Sequence, residues 1–228
     1  MKYRTRANRP SFFWTWVVLL ILMLAPTGCI EIGEELDVKA DRSGTYSLKV
    51  DAGQLAGLLL LSGVAVDEEI SEGIVLIREA GHRLKSARGI SNVRLDTLIG
   101  DGSIGLSFDF SDPARFNQAL YLLGETEKKF YYPSLYTIGS RSVKRRNIAP
   151  IVRNQVRKDY PELMDNEFLG KIELVSTCRV SGELKRAKGH QLRQSAQEAR
   201  FSWNMRELLH TDQGLGYTLR YSKGTARP

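Results

Sequence analysis

An apolar run from Ser11 to Ala25, ended by Pro26-Thr27-Gly28-Cys29, constrains this chain more than any other feature. Lys2, Arg4, Arg6 and Arg9 precede it, and no Asp or Glu occurs before Glu31. Within the run only Ser11 and Thr15 are polar. A basic stretch, a short apolar stretch and small residues at a cut site make the layout of a secretion signal. Its positive end stays on the cytoplasmic side. An uncleaved anchor is the competing reading. Fifteen helical residues rise roughly 22 Å at 1.5 Å each, and a bilayer's hydrocarbon core is about 30 Å thick. Pro26, Gly28, Glu31 and Gly33 interrupt any extension of the run. Residues 1–28 are therefore read as a signal peptide, and residues 29–228 as a single α+β domain.

The segment Leu24-Ala25-Pro26-Thr27-Gly28-Cys29 resembles a bacterial lipobox, the motif read by lipoprotein signal peptidase. Gly28 and Cys29 match it well; Pro26 stands where Leu is usual. The resemblance implies a thioether-linked diacylglycerol on Cys29, with a further acyl chain such as palmitate on its freed amine. One acyl chain gives marginal membrane binding, whereas two or more give stable attachment. The membrane is thus the expected partner, held through a lipid anchor on the extracytoplasmic side of the cell envelope. Ile30 follows Cys29, where Asp is the familiar retention signal for the inner membrane in enteric bacteria. Its absence favours the outer membrane in a cell that has one.

The formal charge of the whole chain is +7, but four of those charges precede Cys29, so the mature chain is near +3. Nucleic-acid binding usually needs a stronger basic footprint, and no nucleic-acid partner is expected. Of the two cysteines, lipidation of Cys29 leaves Cys178 without a partner in the chain. Cys178 lies in a strand-like run, where a buried, inert thiol is expected. His82, His190 and His210 are the only histidines, and none has a second ligand at short spacing. No metal site and no cofactor are expected.

Along the mature chain, Glu31–Lys39 alternates, with Ile32, Leu36 and Val38 set against Glu31, Glu35 and Asp37. Asp41-Arg42-Ser43-Gly44 supplies turn chemistry, and Thr45–Val50 alternates again, which predicts a β-hairpin. Ala52–Ser62 is Leu-rich and reads as helical, and Asp67–Arg88 is the strongest helix pattern. In the latter Ile70, Ile74, Val75, Ile77, Ala80 and Leu84 recur at three- and four-residue steps, acidic residues come first and basic ones last. Gly81 is a weak point inside it, and Gly89 closes it. Ile90–Ile99 and Ser103–Phe110 predict a second hairpin around Gly100-Asp101-Gly102. Asp112-Pro113 starts another helix, with Phe116, Ala119, Leu120 and Leu123 as its apolar stripe.

Phe130–Ile138 then reads as a strand, Ser140–Asn147 as a more basic one, and Pro150–Tyr160 as a short basic helix. Ile172–Glu183 and Ala199–Asn204 predict a strand pair, with Lys185–Gln194 as a mobile turn between them. Met205–His210 and Tyr217–Tyr221 complete the chain as a helical turn and a strand. This order predicts an α+β fold: a mostly antiparallel sheet built from hairpins, with helices packed on one face.

Glu34-Glu35-Leu36-Asp37-Val38, then Asp41-Arg42-Ser43-Gly44-Thr45, resembles the opening of the LppM-like lipoproteins, where a hairpin follows the lipidated Cys. Ile172–Glu183 followed by Phe201-Ser202-Trp203-Asn204 resembles that family's closing hairpin. The match spans most of residues 30–222, with no clear counterpart for 125–170. It implies an α+β domain facing the envelope and contacting lipids, and it carries no catalytic residues across.

Few residues suggest chemistry. Asp96, Asp101 and Asp109 lie on or near one hairpin, where turn chemistry accounts for Asp101. Gly100–Gly105 lacks the Gly-Lys-Ser/Thr ending of a phosphate loop. Ser62, Ser134 and Ser181 lack any Gly-x-Ser-x-Gly context. The feature that stands out is basic: Arg141, Lys144, Arg145, Arg146, Arg153, Arg157 and Lys158 fall within eighteen residues, a stretch that could be an insertion. Tyr131, Tyr132, Tyr136 and Tyr160 lie nearby, and such rings suit a membrane interface. The plain reading is a solvated strand and helix face; the sharper one is contact with anionic lipid or polymer. The expectation is a non-enzymatic envelope lipoprotein with a binding or assembly role at the membrane surface, engaging anionic lipids or an envelope protein. The alternative is a carrier that shelters a lipid tail between sheet and helices, using Leu58–Leu61 and the aromatic strands.

Overall fold

The computed structural model describes residues 30–51, 68–98, 103–124, 128–129, 131–161, 164–212 and 214–223. Cys29, the Leu-rich segment Ala52–Ser62 and the Gly100-Asp101-Gly102 turn lie outside the described residues. The first hairpin is β1 (Ile30–Val38) with β2 (Gly44–Asp51). The second is β3 (Ile90–Leu98) with β4 (Ser103–Phe110). Between the hairpins runs α1 (Glu68–Lys85), and α2 (Pro113–Leu123) follows β4. Asp112 caps α2: its carboxylate accepts from the backbone N–H groups of Ala114 and Arg115 at 2.9 and 3.0 Å. Pro113 opens the helix, where a missing N–H costs nothing.

The chain then builds β5 (Tyr136–Gly139), β6 (Ser142–Arg145), α3 (Ala149–Asp159) and a 3₁₀ helix (Glu167–Lys171). It closes with β7 (Ile172–Val180), β8 (Leu184–Lys188), β9 (Arg193–Gln194), β10 (Glu198–Asn204), α4 (Met205–His210) and β11 (Tyr217–Tyr221). Seven strands form one sheet in the order β3-β4-β2-β1-β7-β10-β9. Four form another, β5-β6-β11-β8. Among the described strands only β1 and β7 pair in parallel, with Ile30 opposite Ile172 and Val38 opposite Val180.

The α+β class and the antiparallel bias therefore hold, with an added layer. One face of the large sheet carries Leu36, Tyr46, Phe108 and Cys178, which stand opposite one another in register. Helices α1 and α2 cover the β3–β4–β2 half of that face, and the small sheet covers the rest. Phe116 of α2 joins all three layers: its ring lies 5.4 Å from Tyr46, 4.5 Å from Phe110 and 5.2 Å from Tyr136. Across the other half, Phe201 stacks on Tyr217 at 4.3 Å.

Several expectations change in detail. Lys185–Gln194 is no mobile turn; it contributes β8 and β9, because Leu184 turns inward and β8 finds β11 as a partner. The strand predicted over Phe130–Ile138 begins only at Tyr136. Val75 faces solvent, and the described inward stripe of α1 is Ile77, Ala80 and Leu84. Gly81 is a packing device: a Cβ there would come within 2.9 Å of Leu95, so its absence lets α1 lie close on β3. The helix ends at Lys85, and Gly89 (φ +77) serves the following turn.

Candidate functional site

In β1 every second residue turns toward the core, and Glu34 shares that parity with Leu36 and Val38. In β6 Arg145 shares parity with Val143, which is fully buried. The two charged residues therefore meet between the sheets. Nη2 of Arg145 lies 2.9 Å from Oε2 of Glu34, with side chains 16% and 10% exposed. Nη1 of Arg145 donates to the carbonyl of Leu215 at 2.8 Å, and its guanidinium lies 5.7 Å from the Trp203 ring centre. The Tyr136 hydroxyl donates to Oε1 of Glu34 at 2.6 Å. Register places Tyr136, Arg145 and Tyr217 side by side across the small sheet.

Burial, then the negative charge of Glu34, pushes the phenols of Tyr46 and Tyr136 well above their usual range. For Tyr217 burial again leads, with Cys178 and Glu34 adding to it. These hydroxyls thus stay protonated, and that of Tyr136 serves as the donor to Glu34. A cavity of about 100 Å³ adjoins the pair, lined by Ile32, Leu48, Leu174, Ser176 and Trp203 among others. A second, of about 110 Å³, lies beneath α1 and α2 and is lined by Leu48, Val50, Ile77, Ala80, Ile104, Leu106 and Leu123. Ligand pockets usually measure roughly 300–1,000 Å³.

The basic cluster is divided by the fold. Arg145 is withdrawn from the surface into the Glu34 pair, because its strand parity points it inward. Arg153 is also largely covered, with a 15% exposed side chain paired to Asp212 at 3.2 Å. Arg141, Lys144, Arg146, Arg157 and Lys158 are exposed. They do not form one patch. Arg141 lies in the β5–β6 turn beside Tyr221, whose N–H donates to its carbonyl, whereas Arg157 and Lys158 end α3. Burial pushes the Cys178 thiol upward, which favours the unreactive protonated form.

Asp109 also has a structural task. Its carboxylate accepts from Thr45 and from Asn92, both at 2.7 Å. Asn92 has φ +50 in the irregular stretch of β3, a conformation that Asn tolerates. The side-chain bonds from Asn92 and Thr45 hold the Asp109 carboxyl below its usual 3.8. A depressed native value means stability that is present above about pH 4 and lost as pH falls through that native value. Asp109→Asn should therefore destabilise at neutral pH, and its deficit against the parent should narrow as urea titrations move from about pH 5 toward pH 2. A deficit that is constant over that range contradicts the assignment.

No protein-family model matches this chain. No curated protein matches it. Among solved structures it is similar to the folded domain of the Mycobacterium tuberculosis LppM protein, determined by NMR. The identity is 9% and the TM-score 0.42, with 88% of this chain and 94% of that chain covered.

Proposed function

We propose that this is a non-enzymatic lipoprotein of the bacterial cell envelope, tethered through Cys29, with a binding or assembly role at the membrane surface. The observation that carries the reading is the start of β1. Ile30, the residue after Cys29, already pairs with Ile172, and Glu31 pairs with Asp51. An acyl anchor on Cys29 would therefore join a strand held on both sides, with no flexible linker between lipid and sheet. No described helix is long and apolar enough to cross a membrane. The Glu34–Arg145–Tyr136 network fits a structural role, since each charge is already engaged by another protein group. The cavities between the layers are too small for a lipid tail, so the carrier reading gains no support among the described residues.

Expression of the full chain in a bacterium with an alkyne-tagged fatty acid tests this reading. The parent should take up the label and sediment with membranes. Cys29→Ser should lose both the label and the membrane fraction. Unlabelled parent protein, or a Cys29→Ser variant that still takes up label, would sink the proposal.

Anionic lipid is the proposed partner of Arg157 and Lys158, with Arg146 as a further contact. Each basic residue near an anionic surface is worth about 1 kcal/mol, or roughly a five-fold change in partitioning. Arg157→Glu with Lys158→Glu should weaken association with phosphatidylglycerol vesicles by at least ten-fold at low salt, roughly the product of the two losses. Equal association of parent and variant removes these residues from the surface contact.

A further inference from the structure

We infer that the helical cap formed by α3, the 3₁₀ helix and α4 is the surface that lies against the bilayer, with Tyr160 and Phe168 entering the headgroup layer. The inference rests on the anchor at Cys29 and adds an orientation to it. Topology places the cap. The 3₁₀ helix runs directly into β7, whose first residue, Ile172, stands opposite Ile30. The last residue of β10, Asn204, stands opposite Glu173 and starts α4. Both helices therefore sit at the end of the sheet where Cys29 enters. The Asn204 side-chain amide donates to the carbonyl of Gly170 at 2.8 Å, which ties the two together. Between them and α3, the Arg153–Asp212 ion pair and the 2.7 Å contact of His210 Nε2 with the Met164 carbonyl close the cap.

Distance then limits the choice of neighbour. Cys29 is one residue, about 3.8 Å, from Ile30, and paired strands lie about 4.8 Å apart. Phe168 precedes Ile172 by four residues at about 2 Å each. A diacylglycerol on Cys29 fixes that residue at the boundary of the hydrocarbon, beneath a headgroup layer roughly 5–7 Å deep. By these steps Phe168 lies no more than about 17 Å from Cys29, close enough to reach that layer when the cap turns toward the bilayer.

The side chains there suit it. Of the five large hydrophobic residues exposed among the described residues, three belong to this cap: Ile151 at 61%, Tyr160 at 54% and Phe168 at 49%. Aromatic rings favour the interface between water and hydrocarbon. Arg157, Lys158, Lys171 and Arg206 are exposed around them, but so are Asp165, Glu167 and Glu207. The charge is mixed, so the apolar side chains carry the inference. The opposite end of the sheet is different in kind: its open cleft of about 710 Å³ is lined by Asp37, Lys39, Asp41, Arg179 and Glu198 among others, both signs of charge mingled.

Spin labels on single cysteines introduced by Tyr160→Cys, Phe168→Cys and Glu183→Cys test the orientation. All three sites are exposed, and Cys178 is buried away from the reagent. The full-length protein, purified from membranes, is reconstituted in vesicles of phosphatidylethanolamine and phosphatidylglycerol, and collisions with a water-soluble nickel complex and with oxygen are compared. Labels at 160 and 168 should lose most of their contact with nickel and gain contact with oxygen, while the label at 183 stays in water. The mass of the Cys29 peptide is read from the same preparation. An acylated Cys29 with all three labels equally open to nickel overturns the orientation and leaves the anchor standing. An unmodified Cys29 overturns both.

Discussion

Arg145→Met should cost the domain about 3–5 kcal/mol, because it leaves the Glu34 carboxylate buried without its cation. Whole domains are stable by only about 5–15 kcal/mol, so the loss is a large share of the total. Three contacts go at once: the 2.9 Å ion pair, the 2.8 Å bond to the Leu215 carbonyl and the approach to the Trp203 ring. Lys at this position restores a charge but not the planar fork that reaches Glu34 and Leu215 together, so Arg145→Lys should fall between parent and Met variant. The second half of the test removes the stranded charge. Glu34→Gln combined with Arg145→Met keeps a partner for the Tyr136 hydroxyl and should recover most of the loss, since a buried pair is often replaceable by neutral groups. Urea titration of the parent, the two single variants and the double variant gives the coupling between the sites. A double variant as unstable as the sum of the singles would show that the two side chains do not depend on each other.

The same pair shows where the sequence speaks and where it does not. Ile32, Leu36 and Val38 mark the inner face of β1, and Glu34 lies on that parity. The apolar residues alone carry the pattern, so an acid on the inward parity leaves no mark of its own. Arg145 reads as a surface residue because it sits among other basic residues, although Val143 two places before it marks an inward face. Composition averages over a strand, whereas parity separates its two sides. The hairpins β1–β2 and β3–β4, and the helices α1, α2 and α3, were legible because their periodicity is local. The parallel pairing of β1 with β7 joins residues more than a hundred positions apart and has no local signature. The small sheet is legible only in part, for a related reason. Its strands β5, β6 and β8 have only four or five residues each, and β11 reaches β6 and β8 from the far end of the chain. Phe130–Ile138, Ser140–Asn147 and Tyr217–Tyr221 read as strands, but β8 falls in a polar stretch that reads as a turn, and the pairing of β11 with β6 and β8 has no local signature. The proposed anchor is the opposite case: Cys29 rests on sequence pattern, and the fold contributes the strand to which it would be attached.

Phe116→Ala should be as damaging as the loss of Arg145, for a different reason. Phe116 is fully buried, and its ring meets Tyr46 and Phe108 from the large sheet, Phe110 at the end of β4, and Tyr136 from the small sheet. Truncation removes the buried ring and leaves a cavity among groups that cannot all close on it, at a cost of about 3–5 kcal/mol. The neighbouring residue extends the effect. Asn117 donates to the Tyr136 carbonyl at 2.8 Å and accepts from its N–H at 2.9 Å, so α2 holds β5 by its backbone. β5 is an edge strand with β6 as its one ladder partner, and it depends on that clamp. Loosening α2 should therefore raise amide hydrogen exchange at Tyr136–Gly139 more than in β1, which is paired on both sides. Phe168→Ala is the matched control: an exposed ring should change stability by no more than about 0.5 kcal/mol. If Phe116→Ala unfolds at the same urea concentration as Phe168→Ala, α2 does not join the two sheets. If it is destabilised while exchange in β5 is unchanged, the clamp at Asn117 acts independently of the ring beside it.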